Sequence, residues 1–199
     1  MSKLTSANEY VMIKPFLVTV SLLIFFTSCS RQIDLAYDPV IEKVDKRDVN
    51  VVVNRFEDVR KIPHVGSMRN LYGMPIVKLH TKHDVPEWVT EAVKLELENA
   101  GYSISDTPTD GDAYEVNGKV MNAYATSYFI YHGRMSIEVV VMHGGDEVLR
   151  KVYQTNKHGG LNWLAQPKSF TRTLKLNLQE VCRNLITDVN RIEEKDSNL

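Results

Sequence analysis

The apolar positions along this chain switch between a period of two and a period of three to four, and the switches mark its elements. Val49-Asn-Val-Val-Val-Asn-Arg-Phe56 is β-branched and dense enough for a central strand. Pro75-Ile-Val-Lys-Leu-His80 has the composition of a second strand, and Tyr102-Ser-Ile-Ser that of a short third. From Tyr114 the pattern is a meander. A long strand runs to Tyr131 with its turn at His132-Gly133, Met135 to Met142 follows, His143-Gly-Gly-Asp146 makes a tight hairpin, and Val148 to Thr155 is ended by Gly159-Gly160. Ile33-Asp-Leu-Ala-Tyr37 alternates ahead of Pro39 and predicts a short edge strand.

Two stretches carry the longer period. Asp84-Val-Pro-Glu87 predicts a helix start, with Asp84 as cap, Pro86 where a missing N–H costs nothing, and Glu87 closing a capping box. Val85, Trp88, Val89, Ala92, Val93 and Leu97 form its apolar face, and Gly101 ends it. Phe170, Leu174, Leu178, Val181, Leu185, Val189 and Ile192 predict a long amphipathic helix over about Ser169 to Glu193, following the connection that begins at Asn162-Trp163-Leu164. Its mixed polar face lacks the basic stripe of a membrane-surface helix. The expected fold is α+β: an antiparallel sheet of about five or six strands with two helices packed on one face.

One stretch has neither period. Glu57 to Met74 contains Pro63, Gly66 and Gly73 and predicts a long irregular loop, of the kind that is functional inside a compact domain. Asp58, Arg60, Arg69, Asn70 and Tyr72 are the residue types that anchor protein interfaces, so this loop is the candidate partner-binding site. Exposure of Met68, Leu71 and Tyr72 on a flat surface would mark such an interface, whereas a concave apolar pocket would mark a carrier.

The N-terminal run Phe16 to Phe26 is about half the roughly 20 residues a spanning helix needs. Lys3 and Lys14 precede it and Thr27-Ser28-Cys29 follows, the layout of a secretory signal peptide ending at a cysteine. It resembles a bacterial lipobox, in which Cys29 is acylated and becomes the mature N-terminus. Phe26 stands where a leucine is usual, and Met12-Ile-Lys-Pro-Phe16 offers a compact alternative start. The expected organisation is a signal peptide over 1–28, a lipid-anchored tether with a short edge strand over 29–46, one domain over 47–193, and a frayed end over 194–199. Ser30, in place of an aspartate, favours the outer membrane.

Composition adds limits. Without residues 1–28 the chain keeps 171 of 199 residues, with 22 basic and 24 acidic, net −2. That length suits one domain, and so balanced a charge supplies no footprint for nucleic acid or an anionic lipid surface. With Cys29 acylated, Cys182 has no disulfide partner and sits in an apolar helical pattern as a small hydrophobe. His80 and His83 straddle a strand-to-helix boundary with no HExxH or CxxC, so no metal is expected. Asp106, Asp110 and Asp112 lack the calcium-loop order, there is no GxSxG elbow, and the glycine pairs lack phosphate-cradling spacing. No catalytic residue and no cofactor is expected.

A strand followed by Phe56-Glu-Asp58-Val-Arg60, then Val65-Gly66-x-x-Arg69-Asn70-x-Tyr72-Gly73, then Val85-x-x-Trp88-Val89 to Leu97-x-x-Ala100-Gly101-Tyr102, all behind a lipobox, resembles the YajG-type family of bacterial lipoproteins. The resemblance runs from about Ile33 to Ile192 and implies an outer-membrane lipoprotein without assigned catalytic residues; only Cys29 carries over as a site. The function expected is a non-enzymatic, periplasm-facing interaction or assembly subunit, held to the membrane through its anchor and bound to envelope protein partners. A small-molecule or glycan carrier is the alternative.

Overall fold

A computed structural model describes residues 30–107, 113–161 and 166–196. Among these residues nine strands form one mixed sheet, and two helices lie on one of its faces. The strands are β1 (Ser30–Gln32), β2 (Asn50–Val53), β3 (Glu57–Asp58), β4 (Gly66–Arg69), β5 (Pro75–His80), β6 (Ser103–Ser105), β7 (Tyr114–Ser127), β8 (Ile130–His143) and β9 (Asp146–Leu161); the helices are α1 (Val85–Asn99) and α2 (Pro167–Asp196).

The long strand β7 organises the sheet. One edge pairs antiparallel with β8, which pairs antiparallel with β9. The other edge takes three short strands in succession, β2, β3 and β4, all parallel to it. Beyond β4 come β5, antiparallel, and β1, parallel to β5; beyond β2 comes β6, also parallel. The α+β class stands, but the sheet is mixed and larger than the antiparallel one of five or six strands expected. The reason is local: β3 and β4 have only two and four residues, too few to show a period of two, so the stretch around them resembles a loop in sequence.

The meander also differs from expectation at one turn. His132 and Gly133 are not a turn but lie within β8, and the chain reverses at Tyr128-Phe129 instead. At Gly133 α2 comes close: a Cβ there would lie 2.4 Å from Asn177 Nδ2 and 2.6 Å from Thr173 Cγ2. Gly159 serves the same contact, with a Cβ reaching 1.9 Å from Thr173 Oγ1, so Gly159-Gly160 continues β9 to Leu161 rather than breaking it. The expected hairpin at Gly144-Gly145 is present, with φ of +59° and +88° that suit a two-residue primed turn.

Helix α1 starts as its sequence dictates, with Asp84 accepting from the Glu87 N–H at 3.0 Å. Val89 and Leu97 of α1, Leu174, Leu178 and Leu185 of α2, and Val116, Ile137 and Val139 of the sheet are all at 0% exposure, so the layer between helices and sheet is filled. The 30–46 stretch is no free tether. Ser30–Gln32 form β1; Ile33 and Leu35 are buried; and the Val44 and Arg47 N–H groups donate to Asn99 and Gly101 carbonyls at 2.9 and 2.7 Å.

Candidate functional site

The expected binding loop divides into two places. Asp58 is level with Val120 of β7 and Met68 with Ser127, so the two parts lie about 20 Å apart along the strand. Arg60 forms a two-pronged pair with Asp58, Nε to Oδ1 at 2.9 Å and Nη2 to Oδ2 at 2.8 Å, with its own N–H donating to Oδ1 at 3.1 Å. Those hydrogen bonds hold the Asp58 carboxyl below the usual carboxylate range. The guanidinium is largely buried, and its Nη1 has no partner among the described residues.

Arg69 and Asn70 build the β4–β5 turn. Arg69 donates to Thr126 Oγ1 and to the Gly73 carbonyl, both at 3.1 Å. Asn70 Oδ1 accepts from the Tyr72 and Met74 N–H groups at 3.0 and 2.9 Å, while its own N–H donates to the Met74 carbonyl at 2.9 Å. With the turn's backbone satisfied from inside, its apolar side chains face outward. Leu71 is 75% exposed and Tyr72 87%. Met68 is half-buried against the core instead. Of the five residues singled out in sequence, Tyr72 alone presents most of its side chain without a role in the turn.

Two further elements end at the same end of the sheet. The β7–β8 turn carries Phe129, 61% exposed and packed edge-on against Tyr128 at 4.2 Å between ring centres. Tyr128 donates its hydroxyl to the Leu71 carbonyl, tying the two turns together. Strand β9 ends at Leu161, 65% exposed and paired with Ile130. Large apolar side chains therefore collect at one end of the sheet, a concentration that marks interaction surfaces. Sequence reasoning missed Phe129 and Leu161; the adjacent aromatic pair Tyr128-Phe129, which interrupts the alternation, was the available signal for the first.

The chain also enters at this end. Ser30 is level with Lys78 of parallel β5, three residues beyond the start of that strand at Pro75. Cys29, the expected lipidation site, lies outside the described residues and is bonded directly to Ser30.

Among the described residues no group of three or more His, Cys, Asp or Glu side chains could hold a metal ion. His64 lies 6.0 Å from His80 and 5.6 Å from Tyr124 between ring centres. Desolvation, then the charges of Lys78 and His80, lower its pKa. His132 packs against His158 at 4.6 Å and is lowered by desolvation, then by His158 and Arg134. Burial pushes the Cys182 thiol up to about 12, far from a reactive thiolate.

No protein-family model and no curated protein matches the chain. Its fold is shared with protein XCC0632 from Xanthomonas campestris, of the family model DUF330, at TM-score 0.59 and 11% identity over 85% of this chain and 99% of that one. A structure described only as an uncharacterized protein aligns at TM-score 0.57 and 9% identity, covering 81% of this chain and 99% of its own. Lipoprotein GNA1162 from Neisseria meningitidis aligns over 70% of this chain and 99% of its own at TM-score 0.39 and 10% identity, too distant to argue from. The first two likenesses show a shared fold and nothing more.

Proposed function

We propose that this chain is a non-enzymatic lipoprotein of the bacterial outer membrane, facing the periplasm, that serves as an interaction or assembly subunit held close to the bilayer. The observation that carries this reading is the register of β1. Its first residue, Ser30, follows the lipobox cysteine directly and pairs with Lys78, leaving no free segment between anchor and domain. Acyl chains on Cys29 would set the height of the whole sheet above the membrane. Among the described residues no helix is long and apolar enough to cross a membrane.

A domain held this way presents the sheet face that the helices leave uncovered. That face mixes Arg134, Ser136 and Gln154 with Val152, a composition suited to a partly polar protein contact. The filled layer between sheet and helices weighs against the carrier reading, which needs a concave apolar pocket there.

The test is a photo-crosslinking amino acid at Gln154 in the full-length protein, activated in intact envelopes, with Cys29→Ser alongside. The reading predicts discrete crosslinked products that disappear when Cys29→Ser releases the protein from the membrane fraction. Membrane retention of Cys29→Ser contradicts the anchor, and a bare monomer under both conditions contradicts the subunit role.

A further inference from the structure

The apolar end of the sheet has a definite neighbour once the register of β1 is taken into account. Strand β1 runs parallel to β5, so a chain traced backward from Ser30 heads toward Pro75 and the turn that precedes it. From the level of Lys78 to Pro75 is three residues of strand, about 10 Å, and one further residue back from Ser30 covers about 3 Å of it. Resting on the proposed acylation of Cys29, we infer that this end of the sheet is a bilayer-inserting rim, with Leu71, Tyr72, Met74, Phe129 and Leu161 entering the lipid interface beside the anchor.

Three observations point to lipid rather than to a protein partner. The first is position: an acylated residue bonded to Ser30 leaves too short a path for this end to stand away from the membrane. The second is composition. Tips rich in tyrosine, phenylalanine and leucine on tight turns match the interfacial belts in which amphipathic rings settle at headgroup level. The turns are braced against each other by the Tyr128 hydroxyl on the Leu71 carbonyl, so the apolar side chains are offered outward together.

The third is charge. Exposed Arg31 and Lys78 sit level with the start of β1, one layer behind the apolar tips, where lipid phosphates would lie. Lys168 and Arg172 add to them from the first turns of α2, beside Gln32 and Ile33. Of the nearby carboxylates, Asp34 pairs with His83 and Asp38 with Lys175. Arg31, Lys78, Lys168 and Arg172 thus form a local basic group behind the rim, in a chain whose total charge is near neutral.

The experiment uses the full-length lipidated protein in vesicles of phosphatidylethanolamine and phosphatidylglycerol, with an environment-sensitive fluorophore on Tyr72→Cys, Phe129→Cys or Asp146→Cys. Asp146 begins β9 at the opposite end of the sheet, and buried Cys182 stays unlabelled. The inference predicts shorter-wavelength emission and quenching by spin-labelled lipid at positions 72 and 129, with neither at 146. Water-like emission at all three positions in protein that floats with the vesicles overturns the rim and leaves the anchor standing. Equal quenching at all three overturns the orientation, and protein absent from the vesicle fraction overturns the anchor and the rim together.

Discussion

Glu96 is completely buried on the inner face of α1, and the Tyr37 hydroxyl donates to its Oε1 at 2.5 Å. The Val40 N–H donates to the same oxygen at 2.7 Å and the Ile41 N–H to Oε2 at 2.8 Å. A buried carboxylate is tolerated only with such a set of donors, and this set fastens the 37–41 stretch across the helix.

Glu96→Gln replaces one acceptor oxygen with a donor that faces a backbone N–H. It should lower stability by about 3 kcal/mol, and Tyr37→Phe by about 1 kcal/mol, because a buried group left without its partner keeps its desolvation cost. Chemical denaturation of the Cys29→Ser background checks both; equal and negligible losses would show that the cluster does not hold the stretch.

The two glycines under α2 make a second prediction. Gly159→Ala brings a methyl into Thr173 Oγ1, and should cost about 1–3 kcal/mol by overpacking. Adding Thr173→Ala should recover part of that loss, a coupling that a double-mutant cycle measures directly.

Acid should weaken the α2–sheet contact at Asp188. Burial alone would raise this carboxyl, but hydrogen bonds from Lys151 at 2.6 Å and Tyr153 at 2.8 Å, with the charges of Lys151 and Arg191, hold it below its ordinary value. A folded pKa below the unfolded one, about 3.9, gives stability that is complete above that value and lost as pH falls through the folded pKa. Denaturation midpoints measured from neutral pH down to pH about 3 should therefore fall less steeply in Asp188→Asn than in the parent. Parallel profiles would contradict it.

Cys182 should resist alkylation at pH 8 in the folded protein and react on unfolding. Its thiol lies in the core at 1% exposure, with its pKa pushed up to about 12 first by burial and then by the nearby Glu96. Labelling at the rate of a free thiol without denaturant would place it elsewhere.

Much of this architecture is legible in sequence where a pattern repeats often enough. Asp84, Pro86 and Glu87 announce α1, the seven apolar positions from Phe170 to Ile192 announce α2, and Gly144-Gly145 announces its hairpin. The readings fail where one residue type serves two physical purposes. Gly133 and Gly159 look like turn residues, yet each is a gap that lets a helix approach. Glu96 stands at helical spacing from Ala92 and Val93 on the apolar face, and its donors come from residues 55 to 59 positions away, which no local pattern reveals. The rim is harder still to see, because Leu71, Phe129 and Leu161 belong to three separate segments brought to one end by the register of β4, β7, β8 and β9.

The proposed function and the rim both depend on the acylation of Cys29, and the intact mass of the protein recovered from the membrane fraction tests it most directly. The account predicts a chain that begins at Cys29 and carries the added mass of a diacylglyceryl group and an N-linked acyl chain. A chain that begins at any other residue, or at Cys29 without added lipid, would contradict it.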